Sequence, residues 1–110
     1  EGVALRAVEV LEAMGEFVAL GKGVTVDGGM SVNPYFCQFL ADVLQREIRV
    51  PKTTELTGLG TALLAAAGAG KAVALPEIDS VLFQPRRDLS ATRARFKDAV
   101  QRARGWAAPA

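Results

Sequence analysis

The residues best placed to do chemistry form a short loop between a predicted strand and a predicted helix. Residues 24–26 have the β-branched composition of a strand, and an Asp-Gly-Gly sequence at 27–29 follows directly. Glycines let the backbone approach a flat or charged ligand closely, and the N–H groups of a helix N-terminus can bind an anion. Asn33 and Pro34 are favourable first residues for that helix. The loop is either a ligand-binding corner or an ordinary turn in which Asn33 only caps the helix.

Other patterns that could carry chemistry are weaker. The run at 58–63, Gly-Leu-Gly-Thr-Ala-Leu, partly matches a dinucleotide-binding fingerprint, but Leu63 stands where a third small residue belongs. Its glycines also lie inside a helical pattern, so a packing role is the better interpretation. Cys37 lies among predicted core positions, and the chain has no histidine to activate a catalytic thiol, which favours a structural cysteine. The sequence therefore predicts no catalytic residue and no metal site in this chain.

Composition limits the class of protein. The chain has 110 residues, half of them apolar, which is enough for one domain with a core. The net charge of +1 excludes a strong overall field, and the basic residues beyond position 85 scatter around the last predicted helix, so no nucleic-acid partner is expected. One cysteine fits a reducing compartment, and no apolar run reaches the roughly 20 residues of a membrane span. These features predict a soluble cytoplasmic protein without a signal peptide.

The apolar periodicity predicts a mixed α/β fold. Two strands, at 24–26 and 47–50, are joined by a helix from 34 to about 45 and should therefore be parallel. The remaining predicted elements are helices at 1–19, 56–69 and 88–104, a brief extended segment at 81–83 and a frayed end at 107–110.

Charge and residue size predict which helix faces are buried. The residues expected to face solvent are Glu9, Glu12 and Glu16 on the first helix and Gln38, Asp42 and Arg46 on the second. The helix at 56–69 consists of small residues almost all the way round, so deep burial against a neighbouring backbone is expected. The core should therefore form around three alanine-rich helices.

Several motifs in order resemble the C-terminal half of FGGY-family carbohydrate kinases, and most closely the members that act on glycerol. The matching segments are residues 1–4, 26–33, 38–42 and 55–62, with weaker matches beyond Lys71. The resemblance implies a ribonuclease H-like (actin-like ATPase) partial domain, with two parallel strands and about four helices. Residues 1–70 would be the C-terminal part of the second, nucleotide-binding kinase domain, and residues 71–110 a linker and C-terminal helix of that domain.

The resemblance also implies a function. The chain would be the adenosine-binding end of an ATP-dependent kinase that phosphorylates glycerol or a related polyol or sugar. The family's substrate-binding residues, catalytic aspartate and first phosphate loop lie upstream, so the chain alone is expected to be inactive, with Mg²⁺ bound mainly by those missing regions. The alternative is a non-catalytic α/β module that binds a dinucleotide or a protein partner. A two-stranded parallel sheet leaves exposed edges, so a homo-oligomer is expected.

Carried over position by position, the resemblance places adenine on the Asp-Gly-Gly loop. Gly28, Gly29 and Met30 would line the base, and the Asn33 side chain would hydrogen-bond its edge. This chain has Met30 where alanine is common in the family and Pro34 where a second asparagine is common. Pro34 strengthens the capping role of Asn33, whose oxygen cannot serve cap and base fully at once.

Overall fold

The computed structural model describes residues 1–53 and 55–106, so the end at 107–110, for which fraying is expected, lies outside the described residues. Within them, four α-helices and three strands alternate along the chain, with one short 3₁₀ helix. In chain order they are α1 (Gly2–Gly15), β1 (Gly23–Thr25), the 3₁₀ helix (Gly29–Val32), α2 (Pro34–Leu44), β2 (Glu47–Pro51), α3 (Leu56–Gly68), β3 (Ser80–Phe83) and α4 (Ser90–Ala103).

The sheet has the order β1-β2-β3. β1 and β2 are parallel, with Val24 opposite Ile48, which confirms the predicted strand–helix–strand unit. β3 pairs antiparallel with β2, and Phe83 lies opposite Ile48. The prediction of two strands was therefore one strand short. A run of four residues carries too little periodicity to reveal pairing with a strand some thirty positions earlier.

The core lies between α2 and the sheet, with α1 packed against α2. The β2 side chains alternate, so Ile48 and Val50 point toward α2 while Arg49 is exposed. The helix residues that complete the buried core are Ala4, Leu5 and Val8 of α1 and Cys37, Phe39, Leu40, Ala41, Val43 and Leu44 of α2. Two helices and one strand thus supply the buried apolar surface, which is the main stabilising term.

The expectation that the small-residue helix is deeply buried was wrong for α3. Among the described residues, none of α3 is buried, and Leu64 is 75% exposed. A Cβ added at Gly60 would meet nothing within 4 Å, so the glycine does not serve a close helix contact here. A helix that is apolar on all sides can pack against other elements, but its sequence does not specify which elements those are. The core consequently forms around α1 and α2 rather than around three helices.

The acidic stripe of α1 is largely exposed, as predicted, with Glu12 and Glu16 exposed and Glu9 partly buried, but one of its residues meets a basic residue of α4. Glu12 forms an ion pair with Arg93, and Arg93 Nη1 also donates to the Val43 carbonyl oxygen at 3.4 Å. A cleft of about 190 Å³ remains between the two helices, lined partly by Glu9 and Lys97. Arg93 thus links α4 to Glu12 of α1 and to the main chain of α2.

Asp42 corrects the predicted outer face of α2, because it is buried with a relative exposure of 1%. Its Oδ1 accepts from the backbone N–H groups of Arg86 at 2.7 Å and Arg87 at 3.3 Å, and from Gln38 Nε2 at 3.0 Å. Its Oδ2 accepts from Arg87 Nε at 3.3 Å. Burial alone would raise the pKa of Asp42, but the hydrogen bonds from Arg86, Gln38 and Arg87 outweigh it and lower the pKa. The carboxylate fastens the segment before α4 onto α2.

Candidate functional site

The Asp-Gly-Gly loop leaves the carboxyl end of β1 and turns at once into the 3₁₀ helix. Gly28 has φ 105° and ψ −180°, a conformation that is essentially restricted to glycine. The Gly28 carbonyl oxygen accepts from both the backbone N–H of Ser31 at 3.1 Å and Ser31 Oγ at 2.6 Å. The Asn33 N–H then donates to the Met30 carbonyl oxygen at 3.1 Å. These bonds fix a compact loop that only glycine can begin.

Asn33 caps α2, as its sequence position predicts. Its backbone is extended (φ −91°, ψ 107°), and its side-chain Oδ1 accepts from Tyr35 N at 3.0 Å and Phe36 N at 3.4 Å. Pro34 occupies the first helical turn, where its missing N–H leaves no bond unmade. The Asn33 oxygen, which was expected to serve either the helix cap or a base, therefore binds the helix N-terminus in this structure.

The four predicted site residues lie together on the surface of this loop. Gly28, Gly29, Met30 and Asn33 are all exposed, and Met30 retains 49% of its accessible surface. A Cβ added at Gly28 or Gly29 would meet nothing within 4 Å, so the space in front of both glycines is open. The loop therefore offers bare backbone, one flexible thioether and one amide side chain to a ligand.

We expect Asn33→Ala to lower the free energy of unfolding by about 1 kcal/mol, because two backbone N–H groups of α2 lose their acceptor. Asn33→Asp should change stability by only a few tenths of a kcal/mol, because aspartate caps helices about as well as asparagine. Urea unfolding followed by circular dichroism measures both values. An equal loss for the two variants would show that the cap is not what Asn33 contributes.

An apolar groove of about 300 Å³ adjoins the loop. It is lined by Ser31, Val32, Pro34, Val50, Pro51, Lys52, Val81 and Phe83. Half of this lining comes from the carboxyl end of β2 and from β3, so the groove depends on the strand pairing that the sequence did not reveal. The alternation of Val81 and Phe83 was the only available signal for it.

Cys37 is buried and contacts the main chain of the 3₁₀ helix. The side chain is buried, burial raises the pKa of its thiol, and Sγ donates to the Ser31 carbonyl oxygen at 3.4 Å. A protonated thiol in this position is a structural group rather than a nucleophile, in line with the prediction. Cys37 therefore joins the start of α2 to the 3₁₀ helix that carries the site.

The remaining sequence candidates form no second site. Gly58 and Gly60 lie inside α3 rather than in a turn between strand and helix, so they lack the geometry of a dinucleotide-binding turn. In the part of the chain that the structure describes, no three His, Cys, Asp or Glu side chains are grouped to hold a metal ion. None of the helices in that part has the length and apolar character needed to cross a membrane.

The fold of the chain matches that of a solved kinase structure. The chain superposes on the crystal structure of Plasmodium falciparum glycerol kinase with ADP at a TM-score of 0.68 and 24% identity, over 99% of this chain and 23% of that one. The fold is therefore part of an actin-like ATPase fold. The model of the C-terminal domain of the FGGY family of carbohydrate kinases matches residues 1–69, and the chain belongs to this family.

Curated relatives agree with this assignment. Glycerol kinases of Francisella tularensis subsp. tularensis (strain SCHU S4 / Schu 4) and subsp. novicida (strain U112) are each 39% identical over 116 residues, which cover 97% of this chain. The subsp. holarctica (strain LVS) glycerol kinase is 38% identical over the same share. The chain spans about 23% of the length of these relatives.

Proposed function

We propose that this chain is the adenosine-binding part of an ATP-dependent kinase that phosphorylates glycerol or a related polyol or sugar. The observation that carries the proposal is the Asp-Gly-Gly loop, in which Gly28 and Gly29 present bare backbone to open space. Met30 packs on one side of the base and Asn33 lies at its edge. Residues 1–70 then form the C-terminal part of the nucleotide-binding domain, and residues 71–110 complete the same domain.

The residues present fit the nucleoside rather than the phosphates. The loop leaves open space in front of two glycines, which a base can approach, whereas no carboxylate cluster for Mg²⁺ is found among the described residues. We assign Mg²⁺ and the catalytic base to kinase regions that correspond to the other three quarters of the relatives. When present, Mg²⁺ neutralises charge on the transferred phosphoryl group. The contribution of this chain is to hold and orient the nucleoside, in the cytoplasm, where the single cysteine stays reduced.

Calorimetry with ATP, ADP and NAD separates this function from the alternative of a dinucleotide- or partner-binding module. We expect ATP and ADP to bind with similar affinity, because the loop contacts only the nucleoside that they share. NAD should bind no tighter than ADP, because Gly58 and Gly60 form no phosphate-binding turn. Binding of NAD without binding of ADP would contradict the kinase assignment.

A chimeric enzyme tests activity. This chain replaces the corresponding segment of a Francisella tularensis glycerol kinase, and glycerol-dependent consumption of ATP is measured. We expect activity in the chimera and its loss when Gly28→Val is introduced, because the valine side chain would occupy the open space in front of the loop. A chimera that unfolds cooperatively but phosphorylates neither glycerol nor other polyols and sugars would contradict the proposal.

We also propose that the isolated chain self-associates. Val3, Val10 and Met14 leave an apolar face of α1 exposed, and β1 is an edge strand of the sheet. Multi-angle light scattering should show a mass above 11.6 kDa that increases with concentration. If the exposed face of α1 mediates the contact, Val10→Glu should restore the monomer. If the edge of β1 mediates it, Thr25→Pro should do so instead. A sharp monomer mass at high concentration would refute self-association.

A further inference from the structure

We propose that this loop selects a purine but does not distinguish adenine from guanine, an inference that rests on the proposed nucleotide-binding function. Adenine presents an acceptor, N7, and a donor, N6–H₂, on its major-groove edge, whereas guanine presents two acceptors, N7 and O6. A site that reads adenine must therefore supply an acceptor for N6–H₂. The hydrogen bonds of this loop leave few acceptors for that role.

The Asn33 side chain is the polar group assigned to the base edge, and its oxygen is already engaged. Oδ1 accepts from Tyr35 N at 3.0 Å and from Phe36 N at 3.4 Å, which uses both of its lone pairs. The side-chain amide nitrogen makes no hydrogen bond within the described part of the chain. Asn33 therefore offers the base two N–H donors and no acceptor. One such donor pairs with N7, the acceptor that adenine and guanine share.

Three carbonyl groups of the loop also accept hydrogen bonds from within the chain. Gly28 O accepts from the backbone N–H and the hydroxyl of Ser31, at 3.1 and 2.6 Å. Met30 O accepts from Asn33 N at 3.1 Å, and Ser31 O accepts from Cys37 Sγ at 3.4 Å. Each of these oxygens is directed by a bond that shapes the 3₁₀ helix, so turning one of them toward N6–H₂ would disrupt the loop itself.

The other contacts are insensitive to the identity of the purine. Gly28 and Gly29 present backbone, and a Cβ at either would meet nothing within 4 Å, so the surface accommodates any flat ring. Met30 is half exposed, and a thioether packs on an aromatic ring through dispersion rather than through a directional bond. Shape thus favours the larger ring system of a purine, while hydrogen bonding does not choose between the two purines.

The test is titration of the ¹⁵N-labelled 110-residue chain with ADP, GDP and CDP, followed through the amide resonances of residues 28–33. We expect dissociation constants for ADP and GDP within about threefold of each other, and CDP at least about tenfold weaker. ADP binding about tenfold or more tightly than GDP would overturn the inference while leaving the nucleotide-binding function intact. CDP binding as tightly as the purines would also overturn it. No shift with any nucleotide at 10 mM, about the weakest limit of such titrations, would overturn the proposed function instead.

Asn33→Asp is the matched variant, because it keeps the cap and converts the free donor into an acceptor. The carboxylate can accept from adenine N6–H₂ but repels guanine O6 and N7, so GDP should weaken by about tenfold or more relative to ADP. Asp27→Asn controls for the other acidic side chain of the loop and should leave the ADP:GDP ratio within about twofold. An unchanged ratio in Asn33→Asp would show that Asn33 does not face the base.

Discussion

Asp42→Ala is expected to lower the free energy of unfolding by about 3 kcal/mol. The substitution removes a buried carboxylate that accepts from two backbone N–H groups, from Gln38 and from the Arg87 guanidinium. The two N–H groups would lose their acceptor, and the segment that leads into α4 would lose its attachment to α2. Chemical denaturation measures the loss, and hydrogen exchange should show increased opening of α4 and of β3.

Asp98→Ala is the matched control, since it removes the same charge from an exposed position. The Asp98 side chain is 61% exposed and pairs with Arg102 one helical turn away, so its loss should change stability by no more than about 0.5 kcal/mol. A similar effect for both variants would show that burial and the backbone hydrogen bonds of Asp42 are not the cause.

The pH dependence of the Asp42 effect follows from its lowered pKa. The pKa of Asp42 is lower in the folded protein than the value of about 3.9 that an aspartate has in an unfolded chain. A carboxyl group of this kind stabilises the fold fully when the pH is above its unfolded pKa. This contribution is lost as the pH falls through the folded pKa. The stability difference between the wild type and Asp42→Ala should therefore be constant near neutrality and shrink below about pH 4. A difference that grows toward low pH would contradict the assignment.

Gly28→Val is expected to have the second large effect, on binding and stability together. At φ 105° a β-branched residue is strained by roughly 1–3 kcal/mol. Because nothing lies within 4 Å of an added Cβ, this loss arises from the backbone and not from a clash. The side chain would also project into the space assigned to the base, so nucleotide binding should fall below detection. Denaturation and calorimetry measure the two effects separately.

Two glycine variants separate strain from ligand contact. Gly29→Ala has no positive φ to violate and should weaken nucleotide binding with little change in stability. Gly70 also has a positive φ, of 75°, but follows α3, so Gly70→Ala should reduce stability without changing nucleotide binding. If Gly28→Val kept its full affinity for the nucleotide, the loop would not be part of the nucleotide-binding site.

Features encoded by neighbouring residues were predictable from the sequence. The Asn33 cap, the first-turn Pro34 and the parallel pairing of β1 with β2 all depend on short-range signals, and the structure confirms each. The family was also predictable, because several motifs occur in the right order. The roles of Gly28, Gly29, Met30 and Asn33 toward a base stay predictions, although the structure places all four on one exposed loop.

Features that depend on distant partners were not predictable. Asp42 has the spacing of a solvent-facing residue, but the groups that bind it lie 44 and 45 positions later. The same limit applies to β3, and to Glu12 and Arg93, which meet across two helices. Burial of α3 failed for a related reason, since periodicity describes one helix and not its surroundings.

The attachment of the last part of the chain has a consequence for sequence divergence. The match to the family model ends at residue 69, yet β3 completes the sheet through main-chain hydrogen bonds, and Asp42 binds the main chain of Arg86 and Arg87. Such contacts require a particular path of the backbone but few particular side chains. We therefore expect positions beyond residue 69 to accept many substitutions without loss of the fold, and we infer that the folding unit extends past the residues that match the family model.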